Sequence, residues 1–296
     1  MDINLPNRTT LAAVAVTLVA GAAIAVAIGA SGSGAASAGE RTAALGEARR
    51  AKLTVNLPAA FSDTIYAAPA ARGRPIVVID AGHGGRDPGA RSVSGEVVEK
   101  DLALALAREV RDNLVKRGRV RVAMTRDDDR YLTLDDRAAV ARRLGAAMFV
   151  SLHIDSAPNP LARGASVYSL SDIASDAEAA HLADVQNGAI AQGEEGGSVE
   201  AMLSDLTMRS QMSASADLAS RLVNKSAGRF ELRPEPHRFA AFYVLRSART
   251  PAVLFEAGYI SNVDDEVLLR DPKHRGEIAL ALAQAVEADV AARSRR

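Results

Sequence analysis

The chain has 296 residues, with 36 basic and 36 acidic side chains and a formal net charge of zero at pH 7. That balance gives no overall attraction to nucleic acid. There is no cysteine, so disulfides and thiolate metal sites are excluded, and any metal must be held by His, Asp or Glu.

In chain order, the first feature is Leu11–Ala30, LAAVAVTLVAGAAIAVAIGA, uncharged and preceded by Arg8. About 20 apolar residues suffice to cross a bilayer, and the small residues of SGSGAASAG that follow suit a signal peptidase. Residues 1–38 are therefore expected to be a signal peptide or membrane anchor with linker, which sends the remainder out of the cytoplasm. Residues 39–73 read as linker or irregular chain, with a short edge strand expected at Leu53–Leu57.

From Arg74 onward, strand and helix patterns alternate. Ile76–Ile79 is an unbroken apolar run, as in a strand buried on both faces. It runs through Asp80 into a turn rich in glycine, Gly82, Gly84 and Gly85, with His83 in its middle. Leu102, Leu106, Val110 and Leu114 recur at helical spacing, and Gly118 stops that helix. Val120, Val122 and Met124 alternate as in a strand. Thr133 with Asp136 predicts a capped helix running to Leu144, closed by Gly145. Met148–His153 and Ala165–Leu170 read as further strands. The rhythm breaks over 171–228, which is polar, helix-prone and interrupted by GEEGG at Gly193–Gly197. Phe242–Leu245 and Pro251–Glu256 then read as strands, and Lys273–Ala292 as an amphipathic helix. The pattern predicts one α/β domain over 74–296, three layers deep. Its twisted, mostly parallel sheet is flanked by helices and carries a helical insertion at about 171–228.

Three predicted strands run into a potential ligand or acid, namely His83, His153 and Glu256, and Glu99 immediately precedes the first helix. Strand ends on one side of a parallel sheet converge, so these four side chains can meet. Two histidines and a carboxylate are the usual set for a catalytic zinc that keeps one position open, and a second carboxylate nearby serves as general base and acid. Each residue also has an ordinary reading. A strand-end histidine usually just hydrogen-bonds, Glu99 suits a helix N-terminus, and Glu256 could pair with Arg126, Arg137 or Arg246. Four such positions together favour a site. The glycine turn matches neither G-x-G-x-x-G nor G-x-x-x-x-G-K-[ST], which weakens a nucleotide reading.

Five blocks in order, GHGGRDPGA (Gly82–Ala90), Glu99–Lys100, TRDDDRYLTLDDRAAVAR (Thr125–Arg142), SLHID (Ser151–Asp155) and LFEAGYISN (Leu254–Asn262), resemble the zinc-dependent N-acetylmuramoyl-L-alanine amidases. The resemblance is to the family typified by the cell-division amidases of Gram-negative bacteria, and it runs from Arg74 to the C-terminus. It implies zinc held by His83, Glu99 and His153, with Glu256 as catalytic acid/base. It further implies cleavage of the bond between muramic acid and L-alanine in peptidoglycan, in the periplasm or cell envelope, during septal splitting. Glu96 competes with Glu99 as ligand, and the resemblance favours Glu99, which directly precedes a lysine. Ser92-Val93-Ser94 departs from relatives that carry glycine nearby and is expected to alter loop shape more than chemistry. Asp155 is a candidate to orient the other ring nitrogen of His153.

Ser169–Asn187 and Leu203–Ala219 resemble relatives in which inserted helices occlude the zinc site until a partner displaces them; a LytM-type activator is the partner implied. Glu178, Asp184, Glu194 and Glu195 are the candidate contacts of such a closed state. The rival readings are a zinc peptidase acting on the stem peptide and a non-catalytic wall-binding scaffold.

Overall fold

The computed structural model describes residues 63–188 and 199–295. The apolar run Leu11–Ala30, the strand expected at Leu53–Leu57, and Glu194 and Glu195 lie outside them. The elements are β1 (Ile65–Tyr66), β2 (Ile76–Ala81), α1 (Glu99–Arg117), β3 (Arg121–Met124), α2 (Leu134–Arg143), β4 (Met148–Asp155) and β5 (Ala165–Leu170). They continue with α3 (Ala177–Asn187), α4 (Val199–Ser226), β6 (Leu232–Ala240), α5 (Tyr243–Ser247), β7 (Ala252–Tyr259), α6 (Val263–Arg270) and α7 (Pro272–Arg293). Among the described residues no helix is long and apolar enough to cross a membrane.

The strands form one sheet in the order β1-β3-β2-β4-β7-β5-β6. Neighbours run parallel except β1 with β3 and β5 with β7. Every residue of β2, β4 and β7 is buried, which explains why their apolar runs are nearly continuous. The two-residue period divides them between layers. Val77 and Ile79 pack with Leu106 of α1 and Leu282 of α7, whereas Ile76 and Val78 pack with Val140 of α2 and Leu245 of α5. Residues Ala60–Arg296 make one compact unit that contains both cores.

Local signals hold where they are strongest. The amide of Asp136 donates to Thr133 Oγ1 at 3.1 Å and the Thr133 amide donates back to Asp136 Oδ2 at 3.2 Å, the reciprocal cap expected for α2. Gly118, left-handed at φ +67°, closes α1. One local reading is corrected. Phe242–Leu245 is no strand: Tyr243–Ser247 form the short helix α5. The strand lies just before it, in β6, where Pro234 and Pro236 obscured the pattern; an edge strand tolerates proline because one side of its backbone is unpaired.

The 171–228 stretch also divides. Ala179, Leu182 and Ala183 of α3 pack on the α2/α5 side, whereas Leu218, Ala219 and Leu222 of α4 are buried in the opposite core. Helix α4 thus belongs to the connection between the parallel strands β5 and β6, and its second half is part of the domain's core.

At the end of β2 a buried polar cluster carries the chain into the glycine turn. Asp80 accepts hydrogen bonds from Thr125 Oγ1 (2.6 Å), Ser151 Oγ (2.6 Å) and Arg137 Nη1 (2.9 Å). Arg137 and Arg126 then donate to the carbonyls of the turn: Arg137 to Ala81 and His83, Arg126 to Ala81 and Gly82. Burial would raise the pKa of Asp80, but the Arg137 charge and the two hydroxyls outweigh it and hold the carboxyl below its ordinary value. Replacing Arg137 with Leu leaves that carboxylate buried without its cation, and urea unfolding is expected to show a loss of about 3–5 kcal/mol. Because the folded pKa lies below the unfolded one, Asp80's contribution is present above about pH 4 and lost as pH falls through the folded value. Asp80→Asn should therefore flatten the acid limb of the stability curve.

Candidate metal centre and active site

The site forms where β2, β4 and the N-terminus of α1 meet. In the parallel pair β4/β7, His153 is in register with Glu256, so their side chains leave the same face of the sheet as neighbours. His83 occupies the turn after β2 with φ +56°, a left-handed conformation unusual for a residue bearing a Cβ. Glu99, the first residue of α1, is buried. One ligand atom each from His83, Glu99 and His153 lies within 4.8 Å of the others.

Glu99 is fixed from several sides. Its Oε1 lies 3.0 Å from His83 Nε2 and 3.0 Å from His153 Nδ1 and accepts the Ile154 amide at 3.1 Å, while Oε2 accepts the Ala90 amide at 3.0 Å. Burial would raise its pKa, but the two histidines more than reverse that and hold the carboxyl well below the usual range. Burial lowers the pKa of His153. For His83 burial acts in the same direction, yet the hydrogen bond to Asp87 and the nearby Glu99 raise its pKa to about 9.

Two groups are conspicuous for what they lack. His83 Nε2 is buried without an aligned hydrogen-bond partner among the described residues, despite its proximity to Glu99. Both carboxylate oxygens of Glu256 are likewise buried and unpaired. Two imidazoles and a carboxylate, one imidazole nitrogen orphaned at their meeting point, fit a divalent metal of zinc's preference. Burial, with the charges of Asp155 and Glu99, pushes the Glu256 pKa well above its ordinary value.

The alternatives left open by the sequence fall as follows, and one suggestion, Asp155, is corrected. Among the described residues Glu256 pairs with no arginine: Arg126 and Arg137 hold the glycine turn, and Arg246 bonds Asp172. Asp155 does not orient His153. Its Oδ1 accepts the Ser156 amide at 2.6 Å, and burial pushes its pKa up to about 7. Glu96 is exposed and pairs with Arg270 at 2.6 Å, which leaves Glu99 as the carboxylate at the site. Ser94 acts in loop shape, its amide and hydroxyl bonding Glu266.

Two side chains at the centre were not singled out from sequence. Asp87 Oδ2 lies 2.9 Å from His83 Nδ1 and so orients the ring, with Nε2 turned to the site. The spacing of four residues within one turn was the available clue. Gln186 of α3 brings Nε2 to 3.3 Å from His153 Nδ1. Of the acidic residues expected to reach the metal from this region, Asp184 is exposed, and Glu178 is engaged by Arg233 Nη1 (2.6 Å) and Tyr259 OH (2.8 Å). A cavity of about 860 Å³ opens over the site, with His83, Glu99 and His153 in its wall and His181, Val185 and Gln186 of α3 opposite.

Comparison with known proteins agrees with this geometry. Residues 77–288 match the family described as N-acetylmuramoyl-L-alanine amidase. AmiA of Escherichia coli K12, an N-acetylmuramoyl-L-alanine amidase, is 36% identical over 220 residues, covering 72% of this chain and 75% of that protein. AmiC of Neisseria meningitidis is also 36% identical over 220 residues, 72% of this chain but 52% of its own length. The catalytic domain of CwlV, an amidase from Bacillus (Paenibacillus) polymyxa, superposes with a TM-score of 0.52 at 27% identity, covering 72% of this chain and 96% of that domain. With its site residues inside the matched region, the chain belongs to the N-acetylmuramoyl-L-alanine amidase family.

Proposed function

We propose that the protein is a zinc-dependent amidase of the cell envelope that detaches stem peptides from N-acetylmuramic acid and is restrained by helix α3. The observation that carries the chemistry is the meeting of His83, Glu99 and His153 beside the unpaired, buried carboxyl of Glu256. Zinc held by the three ligands would supply a Lewis acid that lowers the pKa of water to about 7.

The rest is done by the chain. Glu256 has free lone pairs and a raised proton affinity, so it can take a proton from the attacking water. As the new carbon–oxygen bond forms and the carbon–nitrogen bond breaks, it returns that proton to the departing amine of L-alanine. Asp87 keeps His83 oriented, and Arg126 and Arg137 hold the turn that carries it.

The restraint is supported by the place of α3. It walls the cavity, touches His153 through Gln186 and is tied to the body by Glu178. Its apolar anchorage is limited to Ala179, Leu182 and Ala183, so it is a suitable switch, and the resemblance names a LytM-type activator as the partner that would shift it. Export through the segment 1–38 and action at the septum complete the reading.

The test is incubation of purified peptidoglycan with zinc and the enzyme, followed by mass spectrometry. Intact stems beginning with L-alanine are expected. Shortened stems would indicate a peptidase. Glu178→Ala, which frees α3 from Arg233 and Tyr259, is expected to raise the release rate several-fold; an unchanged or reduced rate would remove the restraint from the reading and leave the amidase standing.

A further inference from the structure

The zero net charge conceals an uneven placing of exposed cations that have no acidic partner among the described residues. The site lies at the carboxyl ends of β2 and β4, where Glu96, Asp128 and Asp129 are paired with Arg270, Arg130 and Lys100. At the opposite end, where β2 and β3 begin and α1 finishes, the residues are Arg72, Arg74, Lys116, Arg117, Arg119 and Arg121. Neither stretch that supplies them, 69–74 or 115–121, contains an acidic residue.

Tertiary contacts bring the two stretches together. Arg121 Nε donates to the Arg74 carbonyl at 2.7 Å, and the turn at Gly118 lies against Ala68 and Ala70. Glu287 faces the cluster but is buried, and it is bonded to Arg117 at 2.7 Å with Arg119 at 3.8 Å. Arg72, Arg74 and Lys116 are exposed and have no acidic partner among the described residues; the Arg119 side chain is 70% exposed.

We propose that this basic end is a docking surface for a bilayer carrying anionic headgroups, which turns the catalytic mouth away from the membrane and toward the wall. Clustered cations are drawn to such a surface within about a Debye length. The choice of a bilayer rests on reading Leu11–Ala30 as a membrane-directed segment; the charge pattern does not.

The experiment uses Ala60–Arg296, the compact unit, because the apolar run would enter vesicles whatever the charge. It is sedimented with vesicles of phosphatidylcholine alone or mixed with phosphatidylglycerol, at low and high salt. Binding is expected only to the anionic vesicles and is expected to fall with salt. Each basic side chain near such a surface is worth a factor of about five, so Arg72→Gln, Arg74→Gln, Lys116→Gln and Arg119→Gln together should cut partitioning roughly a hundredfold or more. A control with the same charge loss at the other end, Arg91→Gln, Arg163→Gln, Arg270→Gln and Lys273→Gln, should retain binding.

Stem-peptide release is measured on the same preparations, so failure of docking is distinguishable from failure of the amidase. Absence of binding to anionic vesicles would overturn the proposal, as would equal losses in the two variants. Binding to isolated cell wall instead, abolished by the first set of substitutions, would also overturn it and assign the surface to an anionic wall polymer.

Discussion

Glu256→Gln is expected to lower stem-peptide release by about two to four orders of magnitude while leaving zinc binding intact. The amide is close in size to the carboxyl and cannot take up and return a proton. Because both oxygens of Glu256 are buried and unpaired among the described residues, the change breaks no described hydrogen bond. It also removes a carboxyl that burial, with Asp155 and Glu99 beside it, disfavours in its charged form, so stability should hold or rise slightly. Release assays with zinc titration on the same preparation check both halves. Retained turnover would require another base, and lost zinc binding would make Glu256 a structural residue. A scaffold's affinity for peptidoglycan, by contrast, would be unaffected.

Gly82→Ala should act on the metal centre through volume alone. Gly82 does not have a left-handed backbone, so alanine can adopt its conformation. A Cβ there would nevertheless lie 2.6 Å from both ring nitrogens of His153. The backbone has little room to retreat, since the Gly82 amide bonds the Leu152 carbonyl at 3.0 Å and its own carbonyl accepts from Arg126 at 2.6 Å. The ring must turn, and with it goes the alignment to Glu99. A loss of about ten- to a hundredfold in zinc affinity is expected from chelator competition, the range seen when orienting contacts around a metal are disturbed. Excess zinc should recover part of the activity. Gly276→Ala, on α7 with open space around it, serves as the control and should leave zinc affinity unchanged. Unaltered zinc affinity in Gly82→Ala would show that His153 is not held where the metal needs it.

How far the site was legible depended on the range of the forces involved. His83, His153 and Glu256 stood out because apolar runs run into them, and a run of that kind is a local property. Choosing Glu99 over Glu96 needed the resemblance, since three residues on a loop leading into a helix carry no local mark. The fold separates the two by burying Glu99 and pairing Glu96 with Arg270. Asp87 and Gln186 were missed for different reasons: the first is a short-range partner inside a turn of unknown shape, the second arrives from a helix 33 residues beyond His153. β6 was missed because its prolines deny a strand locally, while its place at the sheet edge permits them.

The sequence by itself determined the donor chemistry and the layer order. With no cysteine any metal ligands had to be oxygen and nitrogen, and unbroken apolar strand runs between helical patterns indicated a sheet covered on both faces. Only the tertiary structure decided the register that sets Glu256 beside His153, the core role of the second half of α4, and the gathering of cations at the end away from the site. The physical reason is that periodicity states which face of an element is apolar and is silent on which elements meet. Strand register and the grouping of charges from distant stretches are settled when the two cores close, and a net charge of zero contains no record of either.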